Sequence, residues 1–311
     1  MRLAYLIIIH KNAEQVKRLF KSVYDPENFY LFHIDAKAPN SLHSSIKEYL
    51  QPYLNVEIMT SQNCRWGGYS MVDIELKAIE RFLEWNKEWK FFINLSGQDF
   101  PLKTQNQIKS FLQNNQDKNF VTVFDEEFIK SWCNPYLLFR PTSTNKNFLN
   151  AKSRVERLFI EVPGLSQLIY VPFVKRKFID GATWYAGWQW MLLNREFCEY
   201  LFDECDLEKY TRFFKKTFIP DEGFFQTVIM NSPYRETVIN NYKRTVTWID
   251  KGDVIIYKGD KYDFLINSDN LFARKFDTNI DSDIILKLEQ RLIEIKLGEV
   301  EQNKAFIKES N

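Results

Sequence analysis

The chain has 311 residues, 45% apolar and 27% charged, which is enough for one large α/β domain or two modest ones and argues against long disorder. Its 42 Lys and Arg against 41 Asp and Glu leave a formal charge of +1, which excludes bulk electrostatic capture of nucleic acid or of an anionic membrane. The unusual quantity is aromatic content, 16% beside only 10 Gly, which fits either a bulky core or a cleft lined with rings.

Residues 3–9 form an apolar run that is too short for a membrane span and reads as a strand covered on both faces. Val16, Leu19, Phe20 and Val23 recur at helical spacing in 14–23. A strand follows over 29–34, then a helix over 41–50 with Ser41 as its cap, and a short strand over 56–59. Val72, Leu76, Ile79 and Leu83 mark a long amphipathic helix over 70–85. A strand over 91–95, a helix over 105–112 and a strand over 120–123 complete a β-α-β-α series, which implies a mostly parallel sheet with right-handed crossovers.

Residues 126–180 lose this periodicity and are rich in aromatic, Asn and basic residues. Beyond them, 188–193 reads as a strand, 196–202 and 221–230 as helices, and 245–249 as a strand. An amphipathic helix is expected over 281–297, then a polar tail from 299 to 311. No repeat or linker divides the chain, so one composite domain is expected over 1–298. The cysteines Cys64, Cys133, Cys198 and Cys205 show no C-x-x-C pair, so reduced thiols are expected and a zinc site is not. With no signal peptide after the first run, the expected location is the cytoplasm, with at most peripheral membrane association.

Ligands of an open parallel sheet bind outside the carboxyl ends of its strands. His10-Lys11, His33-Ile34-Asp35, Arg65-Trp66-Gly67-Gly68-Tyr69 and Ser96-Gly97-Gln98-Asp99 all fall at such ends. Each alone could be loop polarity or capping; four together point to a site. Neither a G-x-G-x-x-G nor a P-loop motif is present. Pro220-Asp221-Glu222 opens a helix, where acidic residues complement the macrodipole, but a carboxylate beside Phe224 and Phe225 could also act as a general base. Arg274-Lys275, between Phe272 and Phe276, could clamp a diphosphate or be a solvated basic pair. Asp281-Ser282-Asp283 spells D-x-D, but its place at a helix start reads as capping, not metal binding. Trp66, Tyr69, Phe100, Trp188, Trp190, Phe224 and Phe225 are the rings expected on the rim of the site.

Six ordered blocks then carry a resemblance. They are Ile9-His10-Lys11 through His33-Ile34-Asp35-Ala36-Lys37, Arg65-Trp66-Gly67-Gly68-Tyr69-Ser70, Leu95-Ser96-Gly97-Gln98-Asp99-Phe100-Pro101, Gly187-Trp188-Gln189-Trp190, Pro220-Asp221-Glu222 through Val228, and Leu271-Phe272-Ala273-Arg274-Lys275-Phe276. Together they resemble the core-2/I-branching β-1,6-N-acetylglucosaminyltransferase family (glycosyltransferase family 14), which includes the peptide O-xylosyltransferases. The resemblance implies an α/β, GT-A-like glycosyltransferase fold in a single domain, with a mostly parallel central sheet flanked by helices. It divides the chain into a nucleotide-binding part (1–125), an acceptor-side segment (126–180) and a catalytic and diphosphate-binding part (181–298).

The function implied is inverting transfer of GlcNAc or xylose from a UDP-sugar, with no divalent metal or other cofactor. Glu222 matches the catalytic base, and Arg274 and Lys275 the diphosphate pair, with Arg244 a further diphosphate contact. His10, Asp35, Trp66, Gly67 and Asp99 fall in the uridine and donor pocket, and Gln189 and Trp190 in the block facing the sugars. Arg274 with Gln226-Thr227-Val228 is closer to the xylosyltransferase branch. The chain starts directly at the first strand, unlike the anchored animal members, which suggests a bacterial-type enzyme of surface-glycan synthesis with a glycan or lipid-linked glycan acceptor. The alternative is a non-catalytic nucleotide-sugar or glycan-binding protein of the same fold.

Overall fold

A computed structural model describes residues 1–85, 88–125, 178–217, 219–249 and 253–309, with side chains as far as 299. Most of the irregular segment expected over 126–180, and Cys133 within it, lie outside the described residues. Strand β1 (Arg2–Ile9) leads through helix α1 (Ala13–Val23) to β2 (Phe29–Ile34), and α2 (Asn40–Leu50) leads to β3 (Val56–Ile58). Helix α3 (Ser70–Trp85) precedes β4 (Trp89–Ser96), which turns into β5 (Asp99–Pro101); α4 (Gln105–Gln113) and β6 (Asn119–Val121) follow. After the undescribed segment come β7 (Met191–Asn194), α5 (Arg195–Asp203), α6 (Leu207–Phe214), a 3₁₀ turn (Pro220–Glu222) and α7 (Phe224–Met230). The chain closes with β8 (Val238–Ile239), β9 (Arg244–Val246), α8 (Tyr262–Ile266), β10 (Phe272–Arg274) and α9 (Asp283–Glu309).

The large sheet has the order β3-β2-β1-β4-β7-β6-β8. Its first four strands are parallel, β7 runs antiparallel to β4 and β6, and β8 is parallel to β6. This is the mostly parallel sheet that the sequence implies. Alternation along β1 divides the core in two. Leu3, Tyr5, Ile7 and Ile9 face the layer of α1, α2, α4 and α9. Ala4, Leu6 and Ile8 face α3, α5 and α7. Both faces are covered, which is why β1 is apolar at every position from Leu3 to Ile9.

Several boundaries differ from expectation, each for a local reason. Helix α2 starts at Asn40 behind Pro39 and has no side-chain cap, so Ser41 lies inside the helix. The helix expected over 221–230 breaks at Gly223 into the 3₁₀ turn and α7. The strand expected from 188 begins only at Met191, so Trp188–Trp190 leave the sheet. The expected polar tail is helical as far as Glu309. Strand β5 and helices α6 and α8 are too short for periodicity to reveal. Asp281 does serve the start of α9 as expected, Oδ1 accepting from the Ile284 amide (3.1 Å) and Oδ2 from the Gly259 amide (3.0 Å). Among the described residues no helix is long and apolar enough to cross a membrane.

The 186–190 segment is held against β6 and the 3₁₀ turn. The Phe124 amide donates to Ala186 O (2.8 Å), and the Gly187 amide to Glu222 O (2.9 Å). A Cβ on Gly187 would lie 1.7 Å from the Thr122 carbonyl oxygen. Gly187→Ala must therefore pry this segment from β6, at an expected cost of at least roughly 1–3 kcal/mol. Chemical denaturation reads this directly; an unchanged midpoint would contradict the packing described.

Candidate active site

A second sheet, β5-β10-β9, sits at the carboxyl end of β4 and brings distant residues together. Arg274 pairs in register with Asp99 on β5, and Phe272 with Arg244 on β9. Asp99 is fully buried. Arg274 Nη1 stands 3.2 Å from Asp99 Oδ1, and Arg244 Nε 3.6 Å from Asp99 Oδ2. Asp99 Oδ2 also accepts the Ser96 amide (2.9 Å), and Arg244 Nη2 donates to the Asn94 carbonyl. Trp190 packs against both guanidinium groups, 4.2 Å from Arg274 and 4.9 Å from Arg244. The Arg244 guanidinium is wholly enclosed, and burial pulls its pKa down to about 10 against the opposing pull of Asp99. The Arg274 side chain keeps 15% of its surface and reaches a cleft.

That cleft, about 130 Å³, is lined by Trp188, Gln189, Trp190, Glu222, Tyr242, Val246, Trp248, Val254 and Arg274. A larger hollow of about 610 Å³ beside Thr122–Asp125 and Met230 is lined by Arg235 and Glu236 and contains none of Glu222, Arg244 and Arg274. The smaller cleft is the candidate because Gln189, Trp190, Glu222 and Arg274, from three separate sequence blocks, meet there. Glu222 enters it from the 3₁₀ turn. Just before that turn, Ile219 has a left-handed backbone (φ 48), which a β-branched residue adopts only when its surroundings enforce it. Part of that enforcement is its amide, which donates to Gly67 O (3.1 Å); Gly67 itself has φ 64. Helix α7 clamps the facing segment: Gln226 Nε2 donates to Trp188 O (2.8 Å), and the Thr227 hydroxyl bonds the Tyr185 carbonyl (2.9 Å) and amide (3.1 Å).

Behind the cleft lies a buried acidic wall. Glu75 of α3 is fully buried, and desolvation pushes its carboxyl up to about 8, despite hydrogen bonds from Asn94 Nδ2 (2.7 Å) and Gln189 Nε2 (3.4 Å). Desolvation also raises Asp221 to about 6.

The strand-end residues form the adjoining rim. His10 is exposed after β1, and its pKa is lowered first by partial desolvation, then by Lys11 and Lys275. Lys275 is half-buried, its pKa lowered by desolvation, then by Arg274 and Lys11. Lys11 Nζ bonds Asp277 Oδ2 at 2.6 Å. Gln15 of α1 pins this rim, donating to the Gly97 (2.9 Å) and Phe276 (3.0 Å) carbonyls and accepting from the Thr278 amide (2.9 Å). Asp35 is nearly buried and takes part in its own loop: Oδ1 accepts the Lys37 (2.9 Å) and Cys64 (3.4 Å) amides. Trp66 is 74% exposed on the neighbouring turn.

The structure thus gathers Glu222, Arg274, Gln189 and Trp190 at one cleft and His10 with Lys275 beside it. It corrects three expectations. Asp99 is wholly buried between two arginines rather than set on an open rim. Arg244 is enclosed, with its guanidinium against Asp99 and Trp190. Phe100, Phe224 and Phe225 are core rings rather than rim rings, each at most 1% exposed. Sequence reasoning missed Tyr242 and Trp248 in the lining, and Glu75 behind it. Trp248 stacks on Trp188 (4.2 Å between centroids, 22°), a pairing of residues sixty positions apart that no local pattern signals. Among the described residues, no three His, Cys, Asp or Glu side chains converge as a metal site, and Cys64, Cys198 and Cys205 are free thiols.

Two measurements test this electrostatic arrangement. Asp99→Asn removes the carboxylate that the buried Arg244 and the partly exposed Arg274 share, and an expected loss of about 3–5 kcal/mol should appear in denaturant titration. Glu75 has an ordinary value of 4.5 but about 8 in the fold, so between these pH values the folded chain binds more protons than the unfolded one. Stability should therefore fall as pH rises through that window, and Glu75→Gln should flatten the fall. Asp221, raised from 3.8 to about 6, adds the same sign over the lower part. A melting temperature that climbs across the window would reverse the assignment.

Comparison with known proteins places the chain. The Core-2/I-Branching enzyme family matches residues 3–259. Xylosyltransferase 1 of Rattus norvegicus is 30% identical over 314 residues, covering 94% of this chain and 35% of the relative. Xylosyltransferase 2 of the same species is 30% identical over 309 residues, covering 92% and 33%. The chain thus spans about a third of the length of these curated relatives. Among solved structures, mouse xyloside xylosyltransferase 1 aligns over 87% of this chain and 97% of its own, at 11% identity and a TM-score of 0.38. Core-mannan synthase A of Aspergillus fumigatus aligns over 76% and 71%, at 9% identity and a TM-score of 0.35. By its match over residues 3–259, which takes in the first strand and the Glu222 turn, this chain belongs to the Core-2/I-Branching enzyme family.

Proposed function

We propose that the chain is an inverting glycosyltransferase that moves xylose or GlcNAc from a UDP-sugar to an acceptor hydroxyl without a divalent metal. The observation that carries this reading is the shared cleft, which both Glu222 and Arg274 line. Family membership supports the reaction class, and the similarity to xylosyltransferases supports the donor class. The acceptor oxygen attacks the anomeric carbon while its proton passes to Glu222. The bond from that carbon to the diphosphate breaks on the opposite face, and UDP departs with its electron pair.

Charge growing on the departing diphosphate meets Arg274 and Lys275. Arg244 stands behind them, so Asp99 offsets one of two guanidinium charges and the remainder is left for the ligand. Burial holds these groups in place before the reaction, so little reorganisation is needed when the charge develops. The Trp188–Trp248 stack gives the cleft an apolar ring surface suited to the C–H face of a sugar. We assign the acceptor to the glycan or lipid-linked glycan class, as used in cytoplasmic steps of bacterial surface-glycan synthesis.

Glu222→Gln is expected to lower turnover about 10²–10⁴-fold while UDP affinity persists. Arg274→Ala should cost about 2–4 kcal/mol of transition-state stabilisation. Near wild-type transfer by Glu222→Gln would remove the base assignment. Activity in EDTA should equal that in added Mn²⁺, and strict dependence on the metal would overturn the metal-free part.

A further inference from the structure

We infer that Glu75 is a positioning residue, fixing the Gln189 side-chain amide with its carbonyl oxygen toward the sugar in the cleft. The inference rests on the transferase reading and deepens it, because it assigns the hydrogen-bond sense of the sugar subsite.

The chain of bonds begins at two main-chain groups whose roles are unambiguous. The Met191 amide can only donate, and it donates to Asn94 Oδ1 (3.0 Å). The Gln189 carbonyl can only accept, and it takes Asn94 Nδ2 (3.2 Å). Asn94 is thereby locked with its nitrogen toward Glu75, where Nδ2 donates to Oε1 at 2.7 Å. Oε1 of Glu75 is therefore an acceptor. Protonation of this carboxyl leaves that unchanged, because the other oxygen, Oε2, has no hydrogen-bond partner and can carry the proton. An acceptor at Oε1 requires the nitrogen end of Gln189 to face it, and Nε2 stands 3.4 Å away. Gln189 itself lines the cleft beside Glu222 and Arg274. With its nitrogen committed to Glu75, it offers the cleft Oε1, which can only accept.

Such a group selects a sugar hydroxyl that donates, and it repels a carboxylate at the same place. The chemical class that fits is a neutral, hydroxylated pyranose rather than a uronate. Glu75 touches none of the reacting atoms. Its influence runs through Gln189, and also through Asn94, whose carbonyl accepts from the buried Arg244.

The test is calorimetric titration of the full chain with UDP, UDP-xylose, UDP-GlcNAc and UDP-glucuronate. Glu75→Leu should leave UDP affinity unchanged and weaken the better of the two neutral UDP-sugars about tenfold, the value of one lost hydrogen bond. Glu75→Gln, whose side-chain oxygen can still accept from Asn94 and Gln189, should restore most of that loss. Gln189→Leu should reproduce the sugar-specific loss, and it keeps the test available if Glu75→Leu fails to fold. UDP-glucuronate should bind the wild type more weakly than the better neutral donor. An unchanged sugar increment in both leucine variants, equal losses in Glu75→Leu and Glu75→Gln, or a preference for the uronate overturns the inference alone. A wild-type chain that binds neither UDP nor any UDP-sugar overturns the donor reading and this inference with it.

Discussion

Asp99 is the constraint on which the site depends. Two guanidinium groups and one carboxylate share an enclosed space where an unpaired charge would cost several kcal/mol. That arrangement is tolerable only because β5, β10 and β9 pair in a fixed register, setting Asp99 opposite Arg274 and Arg244 one strand further on. The Ser96 amide, the Asn94 carbonyl and the Trp190 ring supply the remaining polar and cation–π partners. One negative charge between two positive ones also leaves a local excess. In a chain whose formal charge is only +1, this excess gives an anion a reason to bind at one place.

Trp190 also lies where opposite electrostatic regimes meet. On one side are Arg244, Arg274 and Lys275, with Lys11 and His10 at the rim. On the other are Glu75, Asp221 and Glu222, in a setting dry enough to raise the first two carboxyls to about 8 and about 6. The transfer proposed above, which takes up a proton at one end and releases a diphosphate at the other, would draw on this polarity. The segment from Gly187 to Trp190 is bound closely. It is held by the Phe124 amide at Ala186, by the Glu222 carbonyl at Gly187, by Gln226 at Trp188 and by Asn94 at Gln189. A shift of this segment would move Gln189 and Trp190 together.

Much of this organisation could be read from the chain. Periodicity located β1, α1, β2 and α3 closely, because each buries residues at its own repeat. The resemblance carried Glu222, Arg274, Gln189 and Trp190, and the structure brings all four to one cleft. Where the reading failed, the reason is distance in sequence or brevity of the element. Asp99 resembled a rim carboxylate because it follows a strand end. Its burial comes from a three-residue strand paired with residues 171–175 positions later. Phe224 and Phe225 flank a site residue, yet the break at Gly223 turns both into the core.

By itself the sequence determined that this is an α/β chain with a covered parallel sheet, and which residue types could supply a base and a diphosphate clamp. Those properties follow from local repeats and from the chemistry of single side chains. Tertiary structure alone decided which charges meet solvent and which meet one another. Arg274 reaches the cleft while Arg244 is enclosed, Asp99 serves both, and Glu75 holds Gln189 from behind. Burial and hydrogen-bond sense depend on groups supplied by other elements, and in this chain those elements are brought together by strand pairings far apart in sequence.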